Sequence, residues 1–419
     1  MKVLVVGGGG REHAIIWKLS QSPRISQLYC APGNGGISKL AACVPIKATD
    51  IEGIVNYSKE NKIDFVMVAP DDPLVAGMVD ALKEAGIRAF GPEKAAAVIE
   101  GSKSFSKDLM KKYNIPTAQY RVFDSCDAAL DYLDTEKAPI VVKADGLALG
   151  KGVIIAQTID EARNAVKDIM TGKVFGEAGN RVVIEECISG PEVSILAFTD
   201  GKTVVPMVSS QDHKRIFDND GGPNTGGMGT FSPSRIYTDE LADQCMKEIF
   251  IPTIEAMNRE GRTFRGILYF GLMITQDGPK VIEYNARFGD PETQVVLPRL
   301  KTDLLEIFEA IIDEKLSDIK IEWYDNAAVC VIAASGGYPG KYAAGIEING
   351  IEAAEADENI TIFHAGTTCR DGKFFTAGGR VLGVTAVEEN MEKAIGKAYA
   401  GIEKISFEGI HYRKDIGRK

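Results

Sequence analysis

Residues 281–292, VIEYNARFGDPE, set three polar side chains two positions apart. Side chains alternate along a strand, so Glu283, Asn285 and Arg287 share one face, and Ile282, Tyr284 and Ala286 share the other. A carboxylate, a carboxamide and a guanidinium make a poor core face. Two hard oxygen donors suit Mg²⁺, which keeps waters and completes its octahedron with phosphate oxygens. The guanidinium can hold a carboxylate or phosphate through two parallel hydrogen bonds. The competing reading is a solvated strand face carrying a salt bridge. The chain then turns through Gly289, Asp290 and Pro291.

Lys143 closes an apolar strand in PIVVKADG, and Lys151 sits in the glycine loop GLALGKG. A lysine so placed costs desolvation unless an anion pairs with it. Glycine amides around Lys151 could fold over phosphates, although the loop lacks the G-x-x-x-x-G-K-[ST] pattern. Surface lysines on a mobile loop are the alternative. IEECISGPEVS runs from strand to strand through a Gly-Pro turn, as either a hinge reading a purine edge or a plain strand turn. Glu192 just after it could accept from ribose hydroxyls. In SSQDHKRIFDNDGGPNTGGMG, Lys214 and Arg215 with His213 beside Asp212 suit phosphate binding and transition-state charge. His213 reads better as a structural or substrate-contacting group than as a general base. No Ser-His-Asp order or nucleophile elbow is present, and no cysteine has a partner that would mark it as a nucleophile.

Two more glycine loops follow strands: GGGG at 7–10 and APGNGG at 31–36. Laid on G-x-G-x-x-G, the first puts Glu12 or His13 at the third glycine position, and no ribose-binding acid follows, so a nicotinamide site is disfavoured. An anion-binding helix start and a plain tight turn remain.

These groups need elements to position them. KVLVV and DFVMVAP read as buried strands and residues 11–19 and 73–85 as helices, a parallel α/β unit over 1–101. Residues 102–325 read as α+β around antiparallel sheet, with a unit nested at about 123–189 and a long helix over 239–258. Residues 326–419 form a third, β-rich unit ending in a helix over 387–402.

Composition bounds the rest. At 419 residues, 45% apolar and 26% charged, the chain has room for about three domains. The 48 basic and 59 acidic residues give a net charge of −11, against a general nucleic-acid or membrane-surface binder. Seven cysteines without a CxxC pair fit neither a disulfide framework nor a zinc site, and the expected location is cytoplasmic. Glycine, at 44 residues, is in excess and points to sharp turns or close ligand approach.

GGGGREH, APGNGG, GSKSFSK, KADGLALGKG, IEECISGPE, SQDHKR, GPNTGGMG, YNARFGDPE and HYRKDIG, in that order from residue 7 to 417, resemble the phosphoribosylamine–glycine ligase (glycinamide ribonucleotide synthetase) family of the ATP-grasp superfamily. The resemblance implies a central ATP-grasp domain whose nested unit is a mobile lid over ATP. It implies a step of purine synthesis in which ATP phosphorylates the glycine carboxylate and 5-phosphoribosylamine attacks the glycyl phosphate. The cofactors implied are ATP as co-substrate and Mg²⁺ or Mn²⁺ on Glu283 and Asn285. ATP would meet Lys103, Lys143, Lys151, Glu185, Glu186, Cys187, Ile188, Glu192, Lys214 and Asn224, with Lys151, Lys214 and Arg287 catalytic. Glycine and phosphoribosylamine would meet Gly8, Gly9, Gly10 and Arg11; Gly33, Asn34 and Gly35; Asp212 and His213; Gly226, Gly227 and Met228; and Arg287, Asp290, Pro291 and Glu292. A transient contact with the amidotransferase that makes phosphoribosylamine is a further implication. Two departures stand out: GILYFGLMIT carries no acid, and Asp71 and Asp72 stand where the family often has Gly-Pro-Glu. A different ATP-grasp carboxylate–amine ligase, or a non-catalytic nucleotide-binding module, would share the nucleotide motifs.

Overall fold

The computed structural model describes residues 1–148 and 152–418. The first apolar run forms the strand Lys2–Gly7, central in a five-stranded sheet, with Gln27–Pro32 and Phe65–Val68 parallel on either side. Both faces of this strand are covered. Val3 and Val5 pack with Ile15, Ile16 and Leu19 of the helix Gly10–Leu19, while Leu4 and Val6 pack with Ile54, Met78 and Leu82. A strand buried on both faces is why this segment reads as continuous apolar sequence rather than alternation. The helix expected over 73–85 is two, Asp71–Ala76 and Met78–Glu84, because Gly77 adopts a left-handed φ of 98° between them.

The middle of the chain builds two antiparallel sheets. One orders Val204–Pro206, Glu192–Thr199, Gly266–Thr275 and Gly278–Asn285. The other, in the nested unit, orders Tyr120–Phe123, Val182–Glu186, Ile140–Ala144 and Val153–Ala156. It carries the helices Cys126–Leu133 and Ile159–Met170 around a core of its own. The long helix expected over 239–258 carries a π-helical turn, Met246–Phe250, just before Pro252, which has no N–H to continue an α-helical ladder.

The last sheet orders Gln211–Asp212, Gly229–Ser232, Ala327–Ala334, Arg380–Glu388 and Ile360–His364, backed by the helix Met391–Ile402. Two of its strands therefore come from the SQDHKR and GPNTGGMG region. The helix Leu304–Ile312 reaches the other way, stacking Phe308 on Phe90 of the first sheet at 3.9 Å between centroids.

The first and last units meet at the GNGG loop. Asn34 donates to the carbonyls of Gly8 (2.9 Å) and His364 (2.8 Å), and its own oxygen accepts from Gly36 and Ile37 (both 3.0 Å). A Cβ on Gly35 would lie 2.8 Å from the backbone of Thr368, so the loop needs glycine to dock. His13 Nδ1 accepts the N–H of His364 at 2.8 Å. Burial pushes His13 down to about 3 and His364 down to about 2, so both are neutral in the folded protein. The unfolded chain binds protons there below its usual value of about 6.5, which the folded chain refuses. Stability should therefore fall as pH drops from about 6.5 toward 3, and His13→Gln, which keeps an acceptor, should flatten that slope. Denaturation midpoints measured against pH check this; identical slopes in both proteins would contradict it.

Candidate active site

A cavity of about 430 Å³ lies between the nested sheet, the middle sheet and the start of the chain. One end is largely apolar, lined by Ile99, Met110, Val141, Val153, Ile155, Met273 and Ile282, with the 185–188 segment along its rim. Beneath it sits a buried trio. Glu185 Oε2 accepts from Lys107 Nζ (2.9 Å) and Lys143 Nζ (3.0 Å), and Lys143 also donates to the Ile282 carbonyl at 3.0 Å. Burial, partly offset by Glu185, pushes Lys107 down to about 8. Glu185 Oε1 is buried without a hydrogen-bond partner. Such an orphan acceptor beside a cavity is satisfied when a ligand brings an N–H.

The middle of the cavity is where the 281–287 segment matters. Glu283 pairs across the strands with Gly271, and a bulge leaves Ile282 unopposed. Strict alternation would turn Ile282 into the core with Tyr284; the bulge instead puts it on the cavity wall. Glu283 and Asn285 reach the cavity as alternation predicts, and Arg287 follows beyond the strand end. Lys214 Nζ lies 3.1 Å from Glu283 and 3.5 Å from Glu192. That ammonium holds the Glu283 carboxyl down to about 2 against burial, and the two carboxylates in turn raise Lys214 well above its ordinary value despite burial. Lys103 Nζ donates to the Gly146 carbonyl at 3.1 Å, and burial lowers its pKa.

The far end pairs arginines with acids. Arg287 contacts Glu100 at 3.0 Å, Asn285 Oδ1 at 3.1 Å and Asp71 at 3.8 Å. The second Glu100 oxygen accepts the Ala286 N–H at 2.7 Å. Burial, countered by Arg287, leaves Glu100 pushed up to about 7. Arg380 reaches Asp290 Oδ1 at 3.3 Å and donates to the carbonyls of Asp290 (2.8 Å) and Gly226 (2.7 Å). Glu292 accepts from Ser194 Oγ at 3.2 Å, which in turn lies 2.9 Å from the Tyr269 hydroxyl. Burial and the neighbouring Glu292 raise Asp212 well above the usual carboxylate range.

Of the residues singled out from sequence, Arg11, Lys103, Lys143, Glu185, Glu186, Cys187, Ile188, Glu192, Asp212, Lys214, Asn224, Gly226, Glu283, Asn285, Arg287, Asp290 and Glu292 line this one cavity. Lys151 lies outside the described residues. Gly8, Gly9, Gly10, Gly33, Asn34 and Gly35 are not among the lining residues. The Gly9 N–H is taken by Glu12 (2.6 Å) and the Arg11 N–H by Asp290 (3.1 Å), so carboxylates of the chain itself occupy the helix start. His213 is buried against Phe231, where burial pushes it down to about 4. Met228 packs in a small core with Ile216 and Ala334. Gly227 and Pro291 pack against each other behind the wall.

Glu100, Asp71, Lys107, Tyr269, Thr225 and Arg380 line the cavity without having been assigned to it. Two of them had a usable signal: Asp71 stands at the position where the family often has Gly-Pro-Glu, and Lys107 follows Lys103 by four residues on the helix Lys103–Lys112, hence on the same face.

Two antiparallel sheets enclosing a lysine-lined cavity, with a carboxylate and a carboxamide on its floor, define an ATP-grasp enzyme. The biotin carboxylase domain of Hydrogenobacter thermophilus 2-oxoglutarate carboxylase shares the fold at 16% identity, with a TM-score of 0.74 over 98% of this chain and 91% of that one. The models of the phosphoribosylglycinamide synthetase N domain, ATP-grasp (A) domain and C domain match residues 1–100, 101–293 and 328–419. The chain belongs to the phosphoribosylglycinamide synthetase family. It is 51% identical to the phosphoribosylamine–glycine ligase of Caldanaerobacter subterraneus over 99% of both chains, and 52% identical to that of Halalkalibacterium halodurans over 100% of this chain and 97% of the relative. The crystal structure of phosphoribosylamine–glycine ligase from Thermotoga maritima superposes with a TM-score of 0.85 at 33% identity, covering 99% of this chain and all of that one.

Above about pH 7, where Glu100 is ionised beside Arg287, removing the guanidinium leaves that buried carboxylate without its counter-charge. Arg287→Ala should therefore destabilise the fold by about 3 kcal/mol, and much less in a Glu100→Gln background. Urea denaturation of the double-mutant cycle measures this, and equal costs in the two backgrounds would contradict the pairing.

Proposed function

We propose that the chain joins glycine to 5-phosphoribosylamine using ATP, through a glycyl phosphate, releasing glycinamide ribonucleotide, ADP and phosphate in purine biosynthesis. The observation that carries this reading is the continuity of one cavity, apolar with an orphan acceptor at one end, cationic in the middle, and acid–arginine paired at the other. A carboxylate is a poor electrophile, and converting it to an acyl phosphate gives the amine a leaving group to displace. Phosphoryl transfer of this kind calls for positioning and charge neutralisation more than for proton transfer.

The residues divide accordingly. The apolar walls and residues 185–188 take the adenine ring, with Glu185 Oε1 facing its amino group and Glu192 near the ribose. Lys103, Lys143 and Lys214 surround the phosphates, with Lys151 as a further catalytic cation from the glycine loop. Arg287 orients the glycine carboxylate. Asp212, Gly226, Asp290 and Glu292 sit where the amino acid and the amine must meet.

Glu283, held ionised, and the Asn285 amide oxygen are hard donors that fit Mg²⁺ or Mn²⁺. When bound, the ion adds charge neutralisation on the phosphates. Lys214 and Arg287, which hold these two oxygens in the protein alone, are then free to turn to the substrates. We further propose a cytoplasmic enzyme that receives its unstable amine by transient contact with the amidotransferase producing it. Among the described residues no helix is long and apolar enough to cross a membrane.

ADP release should require glycine, phosphoribosylamine and a divalent cation together. Turnover with another amino acid and none with glycine would overturn the reading. Glu283→Ala should lower turnover by more than ~100-fold with the circular dichroism spectrum retained. Wild-type rates at saturating Mg²⁺ would show that the ion is held elsewhere.

A further inference from the structure

The HYRKDIG segment, residues 411–417, lines no part of the active-site cavity, yet it holds one of its walls. Arg413 is fully buried. Its Nε and Nη2 donate to the two carboxylate oxygens of Asp415, each at 2.7 Å. Its Nη1 donates to the Arg215 carbonyl at 3.0 Å and meets Asp220 at 3.0 Å. Asp415 also accepts the Asn219 N–H at 2.9 Å, and Asp218 accepts the Lys414 N–H at 2.7 Å. His411 Nε2 lies 2.9 Å from the Ile216 carbonyl. Apart from the Arg413–Asp415 pair itself, each of these contacts ends on a single hairpin, formed by Arg215–Phe217 and Gly221–Asn224.

At the hairpin's tip Asn219 (φ 57°) and Asp220 (φ 55°) are the central residues of a tight turn closed by the Gly221 N–H on the Asp218 carbonyl, the left-handed pair that a two-residue hairpin loop favours. Both are gripped by the Arg413–Asp415 pair. The hairpin's base is the active site itself: Lys214 precedes it, Asn224 ends it, and Thr225 and Gly226 follow it on the cavity wall. The Thr225 N–H and hydroxyl both donate to the Lys214 carbonyl at 2.8 Å, so the two ends move as one.

We infer that Arg413 and Asp415 are positioning residues that clamp this hairpin and thereby set Lys214 and the 224–226 wall for ligation, an assignment that rests on the function proposed above. The guanidinium's planar fork fixes direction as well as distance, which a hydrophobic contact at the same place would not. Among the described residues, no hydrogen bond or ion pair joins Arg413 or Asp415 to Lys143 or residues 185–188 at the adenine end of the cavity.

Asp415→Asn keeps the side chain's shape and weakens the fork. It should lower kcat/KM roughly tenfold for glycine, phosphoribosylamine and ATP alike, because Lys214 and Asn224 face the nucleotide as well. In the free protein, amide exchange over residues 215–226 should speed up roughly tenfold while residues 182–188 keep their protection. Asp218→Asn, which touches only the exposed tip contact, should show the same pattern in weaker form and serves if Asp415→Asn does not fold. A drop in the denaturation midpoint with unchanged kinetic constants and unchanged hairpin exchange would overturn the clamp. A wild-type protein without glycine turnover would instead overturn the proposed function, and hairpin exchange would then still decide the clamp.

Discussion

The structure depends on keeping cations in a water-poor cavity before any substrate arrives. An ammonium or guanidinium removed from water without a partner is prohibitively costly, so each must find a carboxylate or carbonyl within the protein. Lys214 rests on Glu283, Arg287 on Glu100, Lys107 and Lys143 share Glu185, Arg380 holds Asp290, and Lys103 leans on the Gly146 carbonyl. Each of these cations thus rests on a partner within the protein. Bringing in a polyphosphate and a divalent ion exchanges partners among groups already dehydrated, rather than desolvating new ones.

That requirement explains why the fold is assembled from pieces distant in sequence. Glu100 comes from the end of the first unit, Lys143 and Glu185 from the nested sheet, Glu283 from the middle sheet and Arg380 from the last. The interlocking of units serves the same end. Residues 211–232 lend strands to the last sheet, and Phe308 stacks within the first, so the walls are held from more than one side.

Much of this was legible in the residue pattern because alternation and glycine punctuation are local. The strands and the Glu283–Asn285 pair follow from period two, and the resemblance carried by the motifs named the family. What stayed hidden is non-local. Nothing around Glu100 or Arg380 hints that each will meet a charged partner 187 or 90 positions away, at Arg287 and Asp290 respectively. The bulge at Ile282 depends on its partner strand, and the break at Gly77 on a φ that a helical pattern does not report. The GNGG loop left an anion site and a plain turn both open, because a strand-end glycine loop is the same signal whether or not it also meets another part of the chain. Here it meets the last unit, through Asn34.

The most direct measurement is a crystal structure of the protein with a non-hydrolysable ATP analogue, Mg²⁺ and glycine. The account predicts the base beside residues 185–188 with its amino group on Glu185, the phosphates among Lys103, Lys143 and Lys214, and the metal on Glu283 and Asn285. Phosphates bound instead at the Gly8–Gly10 loop, with Lys214 still paired to Glu283, would contradict it.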